Sequence, residues 1–322
     1  MPVPANTVQT FAMVGIREDL SDVITNIAPT ETPFYSRVCQ KGKAKNRTPE
    51  WERDTLAAAD ADNKTVEGDD VTAEAAIQPE RLKNVVQLFD KVVSVSSTAQ
   101  AVDTAGRSNE LNYQTMKKGK ELKRDIEARL TDNNASVLGT ASVAGEIGGA
   151  EAWLETNVSR GTGGSDGGFN SGTGLVDAPT DGTQRAFTEP LLKGVIKDAW
   201  VQGGEPSIIM VGPTNKQAAS GFAGIATQYR ENTGRRQATI LGAADVYVSD
   251  FGEHRIVPNR FNRDRTALVL TPSMWECKFL QPFRRKPLAK TGHNDKRLLW
   301  AELTLCCKEE RANGAVADLT TP

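Results

Sequence analysis

Between Ser108 and Asp132 (SNELNYQTMKKGKELKRDIEARLTD) apolar or small residues recur at spacings of three and four, and no proline interrupts them. Leu111, Thr115, Gly119, Leu122, Ile126 and Leu130 fall within an arc of roughly 100° when each residue turns the chain by about 100°. The pattern predicts one long helix, a rod on the order of 37 Å for about 25 residues. Ser108 is placed to cap it, because a serine hydroxyl accepts a spare N–H of the first turn. Glu110 then sits at the positive end of the helix dipole. Most of the opposite face is charged. Lys117 with Glu121, Lys123 with Glu127, and Asp125 with Arg129 are spaced as i,i+4 pairs, each worth about 0.2–0.5 kcal/mol. So narrow a stripe on so long a rod suits either a surface helix of an ordinary α/β domain or a spine that carries an extended subunit. The flanking sequence decides between them.

Either solution must accommodate a rather polar chain. With 322 residues it can bury a sizeable core in one or two domains. Yet hydrophobic residues make up 38% and glycines number 28, and the mean hydropathy is −0.43. Long loops, or apolar surface completed by other subunits, are therefore expected. A net charge of −2 and a pI near 5.9 give no global reason to grip nucleic acid. No apolar run approaches the roughly 20 residues that span a bilayer. The start, MPVPANTVQTFAMVG, lacks the basic and apolar regions of a signal peptide, so synthesis in the cytoplasm is expected. Cys39, Cys277, Cys306 and Cys307 form no CxxC pair, and His254 and His293 are the two histidines. Buried free thiols are expected rather than a zinc site.

Taken in order, residues 1–28 read as an arm, with short apolar groups and a short amphipathic helix over 17–27. Thr32 and Pro33 are suited to start a helix with Phe34, Tyr35 and Val38 on its apolar face, ending near Gly42. A basic patch follows at Lys41, Lys43, Lys45 and Arg47. A strand is expected around Glu50–Leu56. The acids Asp60, Asp62, Glu67, Asp69, Asp70 and Glu74 then stand against Lys64 alone, without the spacing of a calcium loop. Val85, Val86, Leu88, Phe89, Val92, Val93 and Val95 lead back as a β-rich segment. Residues 43–95 thus read as a long two-stranded excursion, basic at its root and acidic at its tip. Such a hairpin is marginal alone and needs a neighbour to lie on.

After the spine, Ala135–Ala150 reads as a packed helix broken by glycines, followed by the apolar Ala152, Trp153 and Leu154. Residues 161–174 (GTGGSDGGFNSGTG) read as a mobile loop, since the GxxxxGK[ST] phosphate cradle is absent. Thr188 caps a second helix whose face is Leu192, Val195, Ile196, Ala199 and Trp200, with Phe187 and Leu192 as a hydrophobic staple. Gly203 and Gly204 end it. Ser207–Val211 is a buried strand, and Thr214 with Gln217 makes a capping box for a third helix fading near Gly224. Strands at Asp245–Ser249 and His254–Pro258 complete an α/β module over about 140–262. Lys216 is the obvious anion binder beside it, and a structural role suits it better. Beyond Arg260, Arg263 and Arg265 come TALVLTP, MWECKFLQPF with the basic Arg284, Arg285 and Lys286, and KRLLWAELTLCCKEE. These strands are expected to form a sheet against the spine helix.

No catalytic set emerges. The histidines lie outside any HExxH pattern, no GxSxG elbow or kinase signature occurs, and Cys39 has no histidine near it in sequence. The chain is expected not to be an enzyme and to need no cofactor or metal.

The ordered set IAPTETPFYSRV, KGKAKNRTPEWERDTLA, VEGDD, AG with ELKRDIEARL, GGEPSIIMVGPTNKQ and KEERANGAV resembles the major capsid proteins of tailed phages related to phage SU10. The resemblance covers most of the chain. It implies an α+β subunit of the HK97 type. Residues 1–42 would be the N-terminal arm and short helix, and 43–95 the extended loop. Residues 96–139 and 263–322 would form a peripheral domain around the spine at 108–132, and 140–262 the axial domain. The implied function is self-assembly, through hexamers and pentamers, into an icosahedral shell around a double-stranded DNA genome. The implied location is the virion capsid. The implied partners are copies of itself, a portal protein, a scaffold or decoration protein, and packaged DNA held by weak non-specific contact, with no membrane involved. Lys41, Lys43, Lys45, Arg47, Asp60, Asp62, Glu67, Asp69, Asp70 and Glu74 become candidate subunit-interface residues. No large helical scaffold-like region precedes the arm, so a separate scaffold or none is expected, and nothing marks a lysine–asparagine pair for cross-linking. The alternatives are another phage structural subunit, of tail or decoration, or a nucleotide-binding α/β enzyme using the Gly-rich stretch and Lys216.

Overall fold

The computed structural model describes residues 31–68, 70, 75–102, 109–222 and 246–321. The expected arm helix at 17–27 and the capping Ser108 lie outside these residues. After a five-residue π-helical turn at Phe34–Val38 come β1 (Gln40–Lys43), β2 (Glu50–Arg53), β3 (Glu80–Lys83) and β4 (Gln87–Ser96). Next are α1 (Ser97–Ala101), α2 (Glu110–Thr131) and α3 (Ala150–Trp153). Then come β5 (Val158–Ser159), β6 (Gly168–Asn170), β7 (Leu175–Asp177), α4 (Glu189–Val201), β8 (Ile208–Val211) and α5 (Pro213–Ser220). The chain closes with β9 (Val246–Ser249), β10 (Gly252–Pro258), β11 (Ala267–Leu270), β12 (Trp275–Pro287), β13 (Asn294–Cys307) and β14 (Gly314–Val316).

Helix α2 is the predicted spine. Leu111, Thr115, Leu122, Ile126 and Leu130 are buried as the stripe requires, and Glu127 and Thr131 are buried with them. Its cap is Asn109, whose side chain accepts from the Asn112 N–H at 2.8 Å. The stripe lies on a four-stranded sheet of order β1-β12-β13-β4, against β4 and β13. The alternation read in the last long strand holds: Ala301, Leu303, Leu305 and Cys307 are buried in one core with Leu122, Ile126 and Leu130. All four cysteines are free and buried.

A six-stranded sheet of order β5-β14-β11-β8-β10-β9 forms the second layer. Its central strands are apolar throughout because both faces are covered. Met210, Val257, Leu268 and Leu270 face the core shared with α2. Ile209, Val211, Ile256, Ala267 and Val269 face a second core with Leu192, Val195 and Ile196 of α4. Strand TALVLTP therefore belongs to this sheet, not to the sheet under the spine. Two adjacent apolar strands joined by a short turn look the same in sequence whether or not they share a sheet.

Several local expectations are corrected. The turn at Phe34–Val38 closes through Cys39 N–H to Phe34 O at 3.0 Å and gives way to an extended Cys39. Gly42 is thus inside β1, which pairs in parallel with β12. Residues 43–95 are not one hairpin. Among the described residues of this stretch only β2 and β3 pair with each other, Glu50 opposite Lys83 and Arg53 opposite Glu80, while β4 pairs with β13. Ala135–Gly149 is not helical. It runs as a loop with a Val137–Glu146 bridge, and Gly149 passes against the Asp132 carbonyl, where a Cβ would overlap backbone. The Gly-rich stretch contains β6 and leads into β7, paired as a hairpin, and the Phe169 ring stacks on Trp153. Gly212, rather than Thr214, caps α5, and Trp200 is 52% exposed rather than part of the buried face of α4.

Candidate assembly surfaces

The extended β2–β3 ribbon is held at its root by aromatic and amide groups. The Trp51 indole N–H donates to the Cys307 carbonyl at 2.9 Å. The Trp51 ring lies 5.5 Å from Trp153, which stacks at 6.0 Å on Phe169. Asn84, just past β3, is fully buried. Its Nδ2 donates to Leu305 O at 2.8 Å, and its Oδ1 accepts Val85 N–H at 2.8 Å and Gly148 N–H at 3.0 Å. Arg53 pairs with Glu80 across the ribbon and reaches Glu309 at 3.5 Å. A two-stranded ribbon gains its stability from such docking rather than from its own ladder.

The described residues of the two predicted charge clusters lie on either side of β2 along the chain. Lys41 and Lys43 lie on β1, at one edge of the four-stranded sheet, and Lys45 and Arg47 follow it; all four are exposed. The Lys41 ammonium stands 5.0 Å over the Tyr35 ring. Beyond Arg53 the chain continues to Glu80 through an exposed stretch carrying Asp60, Asp62 and Glu67, with Asp70 also exposed. Asp69 and Glu74 lie outside the described residues. Asp62 pairs locally with Lys64 at 3.2 Å, both more than 80% exposed, which is worth little. Among the described residues no salt bridge joins Asp60, Asp62 or Glu67 to Lys41, Lys43, Lys45 or Arg47. Leu56 (97% exposed), Val66 and Ile77 are apolar and exposed on the same stretch.

The charged face of the spine is rewired relative to expectation. Glu121 pairs with Lys118 at 2.6 Å, Asp125 with Lys91 at 2.6 Å, and Arg129 with Glu146 at 2.6 Å. Glu127 leaves the surface altogether. Its carboxylate accepts Phe34 N–H at 2.7 Å, Tyr35 N–H at 2.9 Å and Asn259 Nδ2 at 2.7 Å. Burial raises its pKa to about 7, against the lowering effect of those three donors. Thus one carboxylate ties together the turn after the arm, the spine helix and the end of β10. Sequence reasoning placed Glu127 on the charged face. The available signal was its position beside Ile126, at the margin of the apolar stripe.

Among the described residues no cluster of His, Cys, Asp and Glu is built to hold a metal, and no helix is long and apolar enough to cross a membrane. The Lys216 ammonium reaches the Ile256 carbonyl at 3.3 Å, a structural contact. His254 is buried; its Nδ1–H donates to the Pro206 carbonyl at 2.6 Å, and its Nε2 shares a hydrogen bond with the Ser249 hydroxyl at 2.6 Å.

Comparison with known proteins fits surfaces rather than a catalytic pocket. The sequence profile of the SU10 major capsid protein family matches residues 3–320. The major capsid protein of Escherichia phage Phieco32 is 26% identical over 342 residues, covering 94% of each chain. Among solved structures, the capsid asymmetric unit of cyanophage A-1(L) superposes with a TM-score of 0.64 at 12% identity, covering 98% of this chain and 100% of that one. The holo-SrpI encapsulin complex of Synechococcus elongatus gives 0.57 at 10% identity, covering 94% and 92%. At such identities the solved structures establish the fold, an HK97-type α+β capsid subunit.

Proposed function

The chain belongs to the SU10 major capsid protein family, and from that premise we propose that it closes into an icosahedral shell of hexamers and pentamers around a double-stranded DNA genome. The observation that carries the proposal is the ribbon. The described residues between Arg53 and Glu80 run past the last β2–β3 pair, and all but Thr55 are exposed, bearing apolar Leu56, Val66 and Ile77 among acids. A solitary monomer gains nothing from such an extension, whereas a copy lying beneath it would bury it.

In this reading Lys41, Lys43, Lys45 and Arg47 meet Asp60, Asp62, Glu67, Asp69, Asp70 and Glu74 of a neighbouring copy, which sets register and makes assembly salt-sensitive. Residues 1–42 are the N-terminal arm and the short helix after it, the ribbon region is the extended loop, and the spine with the four-stranded sheet is the peripheral unit. The six-stranded sheet with α4 and α5 is the axial unit. A chain near neutrality suits a wall that faces packed DNA without gripping it. The same reading gives it no catalytic role. It places the protein in the virion after synthesis in the host cytoplasm, in contact with a portal protein and with any scaffold or decoration protein. Sedimentation and negative-stain microscopy of the purified chain test the proposal. Fast-sedimenting closed shells are expected, and a discrete small oligomer under all assembly conditions overturns it.

A further inference from the structure

The free edge of β4 forms one wall of an open groove of about 630 Å3. Five consecutive residues of the strand, Val92–Ser96, line it. Val102 lies past α1, and Glu110, Gln114 and Lys118 supply the flank of α2 as the opposite wall. On its inner side β4 is fully paired with β13, from Gln87–Leu303 to Ser96–Asn294, and among the described residues no strand pairs with its outer side. The backbone N–H and C=O groups of Val92–Ser96 that are not paired with β13 lie on the side of the strand that borders the groove. Val92 is 49% and Val102 58% exposed there. An unpaired edge of this length beside apolar side chains is a template for an added strand.

We propose that the occupant is the segment Thr7–Val14 of this chain's own N-terminal arm, docked as a fifth strand on β4. Three observations select it. The segment TVQTFAMV combines β-branched Thr7, Val8, Thr10 and Val14 with Phe11 and Met13, and Pro4 and Gly15 bound it. It carries no charge, so it can enter a wall made of valines and backbone without stranding an ion. It also has the reach. The described chain starts beside Glu127, where Phe34 is anchored, on the order of 20 Å along α2 from Gln114. The link from Val14 to Glu31 can extend to about 60 Å. The groove of the same copy and that of an adjacent copy are both within range.

Disulfide trapping tests the proposal, because the four native thiols are buried and give little background. Ser94→Cys, on the exposed face of β4, is combined in turn with Val8→Cys, Thr10→Cys and Ala12→Cys, so that one pair falls in register. Opposed side chains on adjacent strands lie about 4.5–5.5 Å apart, within disulfide reach. After mild oxidation, a non-reducing gel is expected to show one pair linked in high yield. A ladder of chains means the arm comes from a neighbour, and a fast-migrating monomer means it folds onto its own copy; either supports the docking. No linkage at any of the three positions overturns it. As a second measurement, removing residues 1–14 is expected to raise amide exchange across Val92–Ser96 severalfold, and unchanged exchange counts against the proposal. Micrographs of the same samples report shell formation separately. An empty groove in closed shells defeats this inference alone, and the absence of shells defeats the assembly reading instead.

Discussion

The Glu127 carboxylate on the spine helix accepts the Phe34 backbone N–H at 2.7 Å, across 93 positions of sequence. Among the described residues no cation pairs with it, and three dipoles stabilise its charge: Phe34 N–H, Tyr35 N–H and the Asn259 amide. Burial outweighs them and raises the pKa from 4.5 to about 7. A carboxyl whose folded pKa lies above its unfolded value contributes stability that is complete below about 4.5 and is lost as pH rises through about 7. The loss is on the order of 3 kcal/mol. Glu127→Gln removes that titration while leaving one amide oxygen to accept. The melting temperature of the parent is therefore expected to fall more between pH 5 and pH 8 than that of the variant. Parallel profiles would refute the assignment. At pH 5 the variant is expected to be less stable by about 1–3 kcal/mol, because its amide NH2 opposes one of the three donors.

That link marks the boundary of what was readable in the chain. The spine, the strands at 208–211, 246–258 and 267–307, and the buried thiols follow from periodicity, which responds to one local variable, the face that a residue presents. Glu127 does not, because its partners lie on segments far away in sequence. The same holds for Asn84, whose amide bridges Gly148 and Leu305, and for Trp51, whose indole finds Cys307. The glycine errors have a different origin. A glycine signals either freedom or close approach, and in Gly149 and the 161–177 region close approach and hairpin turns won. The charged residues proposed for the interface were legible as clusters, since exposure of charge needs no partner. Any pairing between copies was not, because a neighbour's surface is absent from one chain's pattern.

The ribbon root offers a separable test. Trp51 is only half-buried, yet its ring meets Trp153 and its N–H meets the Cys307 carbonyl. Trp51→Ala is expected to cost about 2–4 kcal/mol, combining lost aromatic area with an orphaned carbonyl. Because β2 has only β3 as a ladder partner, the ribbon should loosen before the sheets do. Limited proteolysis between residues 54 and 79 is expected to speed up at temperatures where far-UV circular dichroism is unchanged. Equal cleavage rates in parent and variant would show that the indole does not anchor the ribbon.

The acidic stretch should matter to assembly and not to folding. Asp60, Asp62 and Glu67 are exposed, so reversing them to Lys should shift monomer stability by less than about 0.5 kcal/mol. Reversing Asp69 and Asp70 to Lys tests the remainder of the run. In both variants shell formation is expected to fail at low salt, because like charges then face the basic root of the next copy. Raised ionic strength should restore part of it, since the Debye length shrinks from about 10 Å at 0.1 M to about 3 Å at 1 M. Normal particles from either variant in electron micrographs would remove these acids from the interface.

The end of the spine tolerates no side chain at Gly149. This residue donates its N–H to Asn134 O at 3.0 Å, caps α3, and lies so close to the Asp132 carbonyl that a Cβ would overlap backbone, not a flexible side chain. Relief would require α3 to move away from the helix terminus, and α3 carries Trp153 and the buried Glu151, which accepts from Arg263 at 3.0 Å and Thr266 at 2.9 Å. Gly149→Ala should therefore destabilise by about 2 kcal/mol or more, through overpacking combined with a weakened buried ion pair. Gly163→Ala is the comparison. Nothing lies within 4 Å of its Cβ position, and its strain comes only from a φ of +82°, so a smaller loss of about 1 kcal/mol is expected. Denaturant midpoints of the two variants rank the effects. A Gly149→Ala midpoint at or above that of Gly163→Ala would mean that the close approach at the spine terminus relaxes without cost.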